Sequence, residues 1–152
     1  MSHPLLNSQP PLDLPLTTQT GASISLRQYL GKQAVVLFFY PKDASFGCTQ
    51  EVCAFRDKYD DFVKAGAAVI GVSSDTVESH SLFAGKQRVQ FPLVADEKDH
   101  LRDAFQVPKT FFMAGRVTFI MDKQGIIRDV FNSMLDFAGH ANNALKFVWT
   151  MA

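Results

Sequence analysis

The segment that most constrains this chain is Ala34–Tyr40 (AVVLFFY), an unbroken apolar run dominated by β-branched and aromatic residues. Such a run is the pattern of a strand buried on both faces, which needs a covering layer above and below. Pro41 ends it, and Pro41–Gly47 reads as a loop. From Cys48 the period changes: Val52, Phe55, Tyr59, Phe62 and Val63 fall on one helical face, and Gly66 stops that helix. Ala67–Ser73 (AAVIGVS) is a second buried strand. Asp75 and Glu78 form a capping-box-like pair that opens a helix running to about Gln87.

Further along, Phe91–Val94 is a short strand that Pro92 confines to an edge or start position. Asp96 caps a helix over Leu101–Phe105, which Val107-Pro108 breaks. Val117–Met121 and Ile126–Phe131 flank Asp122–Gly125 as a hairpin. Phe137, Ala141, Ala144, Leu145 and Val148 line one face of a last helix. Upstream, Ser25 caps a short helix over Leu26–Leu30 that Gly31 ends. Pro4, Pro10, Pro11 and Pro15 make residues 1–15 an extended arm. Alternation first implies parallel strands with crossover helices, and the late hairpin adds an antiparallel pair. A thioredoxin-like three-layer α/β sandwich with a mixed central sheet satisfies this order. At 152 residues, without a linker or repeat, residues 1–152 are expected to form one domain.

Charge narrows the function. Lys+Arg and Asp+Glu both number 15, so no basic excess exists to draw a nucleic acid. No apolar run approaches the ~20 residues of a membrane span, so no membrane partner is expected. No signal peptide is visible, which suggests the cytoplasm, or a plastid if a transit peptide has been removed. Cys48 and Cys53 are too few for a disulfide scaffold. The dispersed His3, His80, His100 and His140 add no ligand spacing, so neither a metal nor another cofactor is expected.

The two cysteines carry the most chemistry. Cys48 follows a strand and loop and opens a helix, where unpaired N–H groups stabilise a thiolate. Gly47 lets the chain turn and a small ligand approach, and Ser45 adds a hydroxyl. The competing reading is an inert, buried cysteine at a helix start. Cys53 lies five positions on. In a continuous helix that is a rise of ~7.5 Å and a rotation of ~140°, against usual disulfide Cα separations of ~4.4–6.8 Å. The pair is therefore either two unrelated thiols or a redox couple that bonds only when the helix unwinds.

Phe39-Tyr40-Pro41-Lys42-Asp43, Gly47-Cys48-Thr49, and Glu51 through Cys53-Ala54-Phe55-Arg56-Asp57 resemble the atypical peroxiredoxins of the PrxQ, or bacterioferritin comigratory protein, family. The likeness extends to Phe91-Pro92-Leu93, Gly115-Arg116 and Val117–Gly125, so it covers nearly the whole domain. Pro41, Ser45 and Cys48 fit the general peroxiredoxin motif, and a second cysteine five residues on marks the subgroup.

The resemblance implies a thiol-dependent peroxidase acting on hydrogen peroxide and organic hydroperoxides. In that reading Cys48 attacks the peroxide and becomes a sulfenic acid. Cys53 resolves it to an intramolecular disulfide, which thioredoxin or a similar dithiol reduces. Arg116 supplies the cation, where a surface salt bridge is the plain alternative. Ser45 bonds the peroxide or thiolate, where a turn residue is the alternative. Pro41 shapes the loop and shields the sulfur. Glu51 is expected to hold the loop by an ion pair with Lys42 or Arg56, where a proton acceptor is the alternative.

The sequence departs from the family at Phe46, where Pro is commoner. Phe removes the stiffness of Pro, and either loosens the loop or forms an apolar collar that favours organic hydroperoxides. Two other functions use the same cysteine pair: a thiol–disulfide oxidoreductase and a redox sensor that binds a partner when oxidised. A monomer is expected because both cysteines lie in one chain, with Phe105, Phe111 and Phe112 as a candidate weak-dimer face.

Overall fold

The computed structural model describes residues 3–108 and 115–151. Its elements are β1 (Leu16–Thr17), β2 (Ser23–Ile24), β3 (Ala34–Phe39), α1 (Phe46–Asp57), α2 (Tyr59–Lys64), β4 (Ala67–Ser73) and α3 (Val77–Gln87). They continue with β5 (Leu93–Ala95), α4 (His100–Ala104), β6 (Val117–Met121), β7 (Ile127–Asn132) and α5 (Phe137–Met151). A single 3-10 turn covers Leu26–Tyr29.

Five strands form one sheet in the order β5-β4-β3-β6-β7. The β3–β4 and β4–β5 pairs are parallel, while β3–β6 and β6–β7 are antiparallel. This is the expected mixed sheet, with the Ala34–Phe39 run at its centre and the Pro92-flanked strand at its edge. All six β3 residues are buried. Their alternation divides the core in two. Val36 and Phe38 pack with α1, α2, α3 and α5 through Val52, Phe55, Phe62, Phe83 and Ala144. Val35, Leu37 and Phe39 pack with α4 and the N-terminal segment through Leu101, Phe105, Leu12 and Leu16. Each pair of layers buries a run of large side chains, at about 1.5–3 kcal/mol apiece.

Four local expectations need correction. The helix after the loop begins at Phe46, two residues before Cys48, and breaks at Lys58 into α1 and α2. The cap of α3 is Thr76, whose Oγ1 accepts from Ser79 N–H at 3.1 Å. Asp75 is occupied elsewhere, accepting from Ser73 Oγ–H at 2.5 Å and Asp43 N–H at 2.8 Å. Phe105 is fully buried against Phe119 and Phe39, so it offers nothing to a dimer face. Phe111 and Phe112 lie outside the described residues.

The beginning of the arm also differs from an extended chain, since Pro4–Asn7 form a turn closed by Leu6 N–H to His3 O at 3.1 Å. It is then stitched to β7, Asn7 N–H donating to Ile127 O and Ile127 N–H to Ser8 O. The cap position of α4 is Asp99, but Asp96 serves the free N–H groups there, its carboxylate accepting from Leu101 and Arg102 at 3.0 and 2.9 Å. Among the described residues, no helix is long and apolar enough to cross a membrane.

Candidate active site

Strand β3 delivers the chain to Tyr40, and the next six residues turn it back into α1. Three of the first N–H groups of α1, on Phe46, Gly47 and Cys48, precede the first bond of the helix, Thr49 N–H to Ser45 O at 2.9 Å. They leave partial positive charge at the Cys48 end. Cys48 is fully buried, and its Sγ accepts from Lys42 N–H at 3.4 Å and Arg116 Nη1–H at 3.5 Å. A backbone amide and a guanidinium thus both direct hydrogen-bond donors at the sulfur.

Arg116 stands one residue before β6 and is 3% exposed. Its Nε–H donates to Met134 O at 3.1 Å, its Nη1–H to Glu51 Oε1 at 2.7 Å, and its plane lies 4.9 Å from the centroid of the Phe137 ring. The guanidinium is thus held on three sides, with one edge on the sulfur. It is no surface salt bridge.

Glu51 departs from expectation. It pairs with neither Lys42 nor Arg56, and Arg56 bonds Asp57 and Gln87 O instead. Glu51 sits one helical turn beyond Cys48, fully buried, and reaches Arg116. Burial pushes its pKa up to about 8, with Arg116 opposing the shift. His140 of α5 lies beside it, Nδ1 to Glu51 Oε2 at 3.6 Å. Burial lowers the His140 pKa to about 4, so the ring is neutral.

Ser45 caps α1 by position, but its Oγ–H donates back to Lys42 O at 2.9 Å. The turn role is therefore real, and the oxygen keeps lone pairs for an incoming donor. Gly47 serves a different purpose from the tight turn expected. A Cβ there would lie 2.5 Å from Phe137 Cε1 and 3.2 Å from Arg116 Nη2, so the site closes onto bare backbone. Pro41, Lys42, Ser45, Phe46, Gly47, Cys48 and Arg116 line one cleft of about 560 Å³, with Met134, Leu135 and Phe137 across from them.

Cys53 is on the same helix but faces α3, where its Sγ–H donates to Gln87 Oε1 at 3.4 Å. Burial raises its thiol pKa, with Arg56 opposing. Both cysteines are free thiols, and α1 is continuous between them.

Two groups around the loop escape a reading of the sequence. Arg102 of α4 is 1% exposed and donates to Gly115 O at 3.0 Å and Tyr40 O at 3.1 Å, fastening the strand end before the loop to the segment that carries Arg116. Asp43 accepts from Tyr40 Oη–H at 2.6 Å, Ser79 Oγ–H at 2.8 Å and the His80 ring at 2.7 Å. Asp43, Asp75 and His80 bring ligand atoms within 4.8 Å of one another. The His80 nitrogens are spent on Asp43 and on Val94 O, and the oxygens of Asp43 on donors. The cluster is a closed hydrogen-bond network and fits a metal poorly.

Comparison with known proteins places this geometry. The AhpC/TSA family model matches residues 8–130. The chain belongs to the AhpC/TSA family, in its peroxiredoxin Q branch. Chloroplastic peroxiredoxin Q of Triticum aestivum is 41% identical over 140 residues, covering 91% of this chain and 64% of its own length. That of Sedum lineare is 41% identical over 138 residues, covering 90% and 74%. A cysteine-to-serine mutant of Xanthomonas campestris peroxiredoxin Q superposes with a TM-score of 0.89 at 33% identity, covering 99% of this chain and 100% of that one. Bacterioferritin comigratory protein of the same organism, studied for its alkyl peroxide reduction activity, gives 0.87 at 33% identity, covering 94% and 96%. As a peroxiredoxin the chain is a thiol-dependent peroxidase with a thioredoxin-like fold.

Proposed function

We propose that Cys48 is the peroxidatic thiol and Cys53 the resolving thiol of this peroxiredoxin, and that the cleft above Cys48 takes hydrogen peroxide and organic hydroperoxides. The observation that carries the reading is the Cys48 sulfur held between Lys42 N–H and Arg116 Nη1–H at the foot of an open cleft.

The chemistry follows from that placement. The Cys48 thiolate attacks the terminal oxygen of ROOH along the O–O axis. The S–O bond forms as the O–O bond breaks, giving Cys48–SOH and RO⁻, which takes a proton and leaves as ROH. Arg116 faces the charge that builds on the departing oxygen. Ser45, whose own hydrogen is given to Lys42 O, accepts the peroxide hydrogen and orients the substrate. Pro41 and Phe46 border the entrance. Cys53 then attacks Cys48–SOH, a disulfide forms and water leaves. An external dithiol of the thioredoxin type reduces that disulfide to two thiols and becomes a disulfide itself. The intact α1 keeps the cysteines apart, so its first turns must unwind before the second step.

The cleft rim carries the substrate preference. Phe46 and Leu135 are 77% and 81% exposed, and Phe46 meets the Phe137 ring edge-on at 6.3 Å between centroids. An apolar R group packs there, so organic hydroperoxides are favoured. We read the chain as one domain working as a monomer, without nucleic acid or membrane. Its place is a thioredoxin-supplied compartment, the cytoplasm or, as the names of the plant relatives say of them, the chloroplast.

The test is intact mass and thiol mapping after one equivalent of peroxide, on wild type, Cys48→Ser and Cys53→Ser. Wild type should lose two hydrogens, Cys53→Ser should gain oxygen, and Cys48→Ser should stay unchanged. A wild type that remains reduced for minutes would favour the oxidoreductase or sensor function instead.

A further inference from the structure

The buried side of Arg116 carries a proton that the peroxidase chemistry above does not use. His140 Nε2 lies 2.8 Å from Ser133 O, and a carbonyl only accepts, so Nε2 carries the hydrogen. The neutral ring therefore has a bare Nδ1, which accepts from Thr118 Oγ1–H at 2.7 Å. Glu51 Oε2 lies 3.6 Å from that same bare nitrogen and, among the described residues, has no hydrogen-bond donor. An ionised Oε2 would be a buried charge with no donor, facing a ring nitrogen that carries no hydrogen, which is costly. A protonated Glu51 carries no such charge.

We propose that Glu51 is a neutral carboxylic acid in the resting enzyme, and that this proton reserves the full charge of Arg116 for Cys48. Glu51 is a positioning residue here, since it acts through the guanidinium and touches no substrate. The neutral acid still accepts from Arg116 Nη1–H at its carbonyl oxygen, so the 2.7 Å bond persists while the ion pair does not. Ionisation of Glu51 would draw the guanidinium's field away from the sulfur and the leaving oxygen. The groups facing Glu51 are Arg116 from the start of β6, His140 from α5 and Cys48 on its own α1, with Asp136 acting on His140 from the turn before α5. Only Arg116 is a cation, and its one bond to Glu51 is outweighed by complete burial.

The inference rests on the peroxidatic role of Cys48, and its test begins where that role is not needed. Infrared difference spectra of the reduced wild type should show the C=O stretch of a protonated carboxyl at neutral pH, absent from Glu51→Gln. ¹⁵N NMR of His140 should show the neutral ring protonated at Nε2. An imidazolium at His140, or no protonated carboxyl, would overturn the proposal whatever the enzyme's activity. Kinetics supply the second arm, in a Cys53→Ser background. With the proton lost near pH 8, the rate of Cys48 oxidation per thiolate should fall about tenfold between about pH 7 and about pH 9. With Glu51→Gln, a neutral amide of the same shape, the profile should stay flat within about twofold. An equal fall in both proteins would remove Glu51 as the cause.

Discussion

The ring of Phe137 occupies the place that a side chain on Gly47 would need, its Cε1 only 2.5 Å from where a Cβ would stand. The same ring lies under Arg116, and Arg116 Nη2 is 3.2 Å from that Cβ position. Gly47 is therefore fixed by close approach within a helix, and not by a left-handed turn. Gly47→Ala sets a helix-propensity gain of about 1 kcal/mol against overpacking of about 1–3 kcal/mol. The half-buried Phe137 can shift, so the net loss should be small, below about 2 kcal/mol. The shift displaces Arg116, so kcat/KM for peroxide should fall by about tenfold or more, since small misplacements are costly in a preorganised site. Urea unfolding and peroxidase kinetics on one preparation check both. Full activity would mean that the Phe137 platform does not position Arg116.

Phe46 occupies the first helical position of α1, after an extended Ser45 with φ −72° and ψ 157°. That backbone suits proline: the first helical position tolerates the missing N–H, and an extended residue before it avoids a clash. Phe46→Pro should raise stability by about 0.4–1 kcal/mol through the unfolded chain. It should also lower activity toward cumene hydroperoxide relative to hydrogen peroxide, because the exposed ring leaves the rim. An unchanged ratio of the two rates would remove the apolar collar from the account.

Cys48 and Cys53 face opposite partners from one helix, Arg116 on the sheet side and Gln87 on α3. Their disulfide needs α1 to open. Amide hydrogen exchange over residues 46–58 should rise sharply when wild type is oxidised by one equivalent of peroxide. Cys53→Ser, oxidised to the sulfenic acid, should keep its protection. Equal protection in reduced and disulfide forms of wild type would contradict the unwinding step.

The loop is held from behind by Asp43, which is 6% exposed and takes hydrogen bonds from Tyr40, Ser79 and His80. Burial and Asp43 together hold the Tyr40 hydroxyl well above the usual phenol range, so it stays a donor. Asp43→Ala strands three donors at once, the buried Tyr40 and His80 among them, and should cost about 3–5 kcal/mol. Tyr40→Phe removes one bond and should cost about 0.5–1.5 kcal/mol. Chemical denaturation separates the two. Similar costs would mean that His80 and Ser79 find other partners.

The fold was legible because its signals are local: the unbroken β3 run, the change of period at Cys48 and the turn at Asp122–Gly125 each belong to one short segment. Cap assignments failed where two candidates adjoin. Asp75 reads as the cap of α3, yet its carboxylate is taken by Asp43 and Ser73, and Thr76 takes the place. At the site, the cysteines, Ser45 and Arg116 could be named from motif resemblance. The partner of Glu51 could not, because Arg116 lies 65 positions away and sequence neighbours Lys42 and Arg56 carry the same charge. Arg102 was hidden for the same reason: its bonds to Tyr40 O and Gly115 O exist only once α4 is packed.

The Glu51–His140 pair also shapes stability against pH, with opposite signs for its two members. The His140 pKa is lowered from 6.5 to about 4, so its contribution is present above pH 6.5 and is lost as pH falls through 4. The Glu51 pKa is raised from 4.5 to about 8, so its contribution is present below pH 4.5 and is lost as pH rises through 8. Between the two unfolded values the effects oppose each other. Above pH 6.5 only Glu51 still acts, because the folded protein binds a proton that the unfolded chain has released. Wild type should therefore lose stability from about pH 6.5 to 8, by up to ~1.4 kcal/mol per pH unit, and level off beyond. Glu51→Gln has no proton to release and should show no such decline, so its advantage over wild type should widen through this window. Urea midpoints across the interval decide it: parallel curves for the two proteins would mean that Glu51 is ionised in the fold.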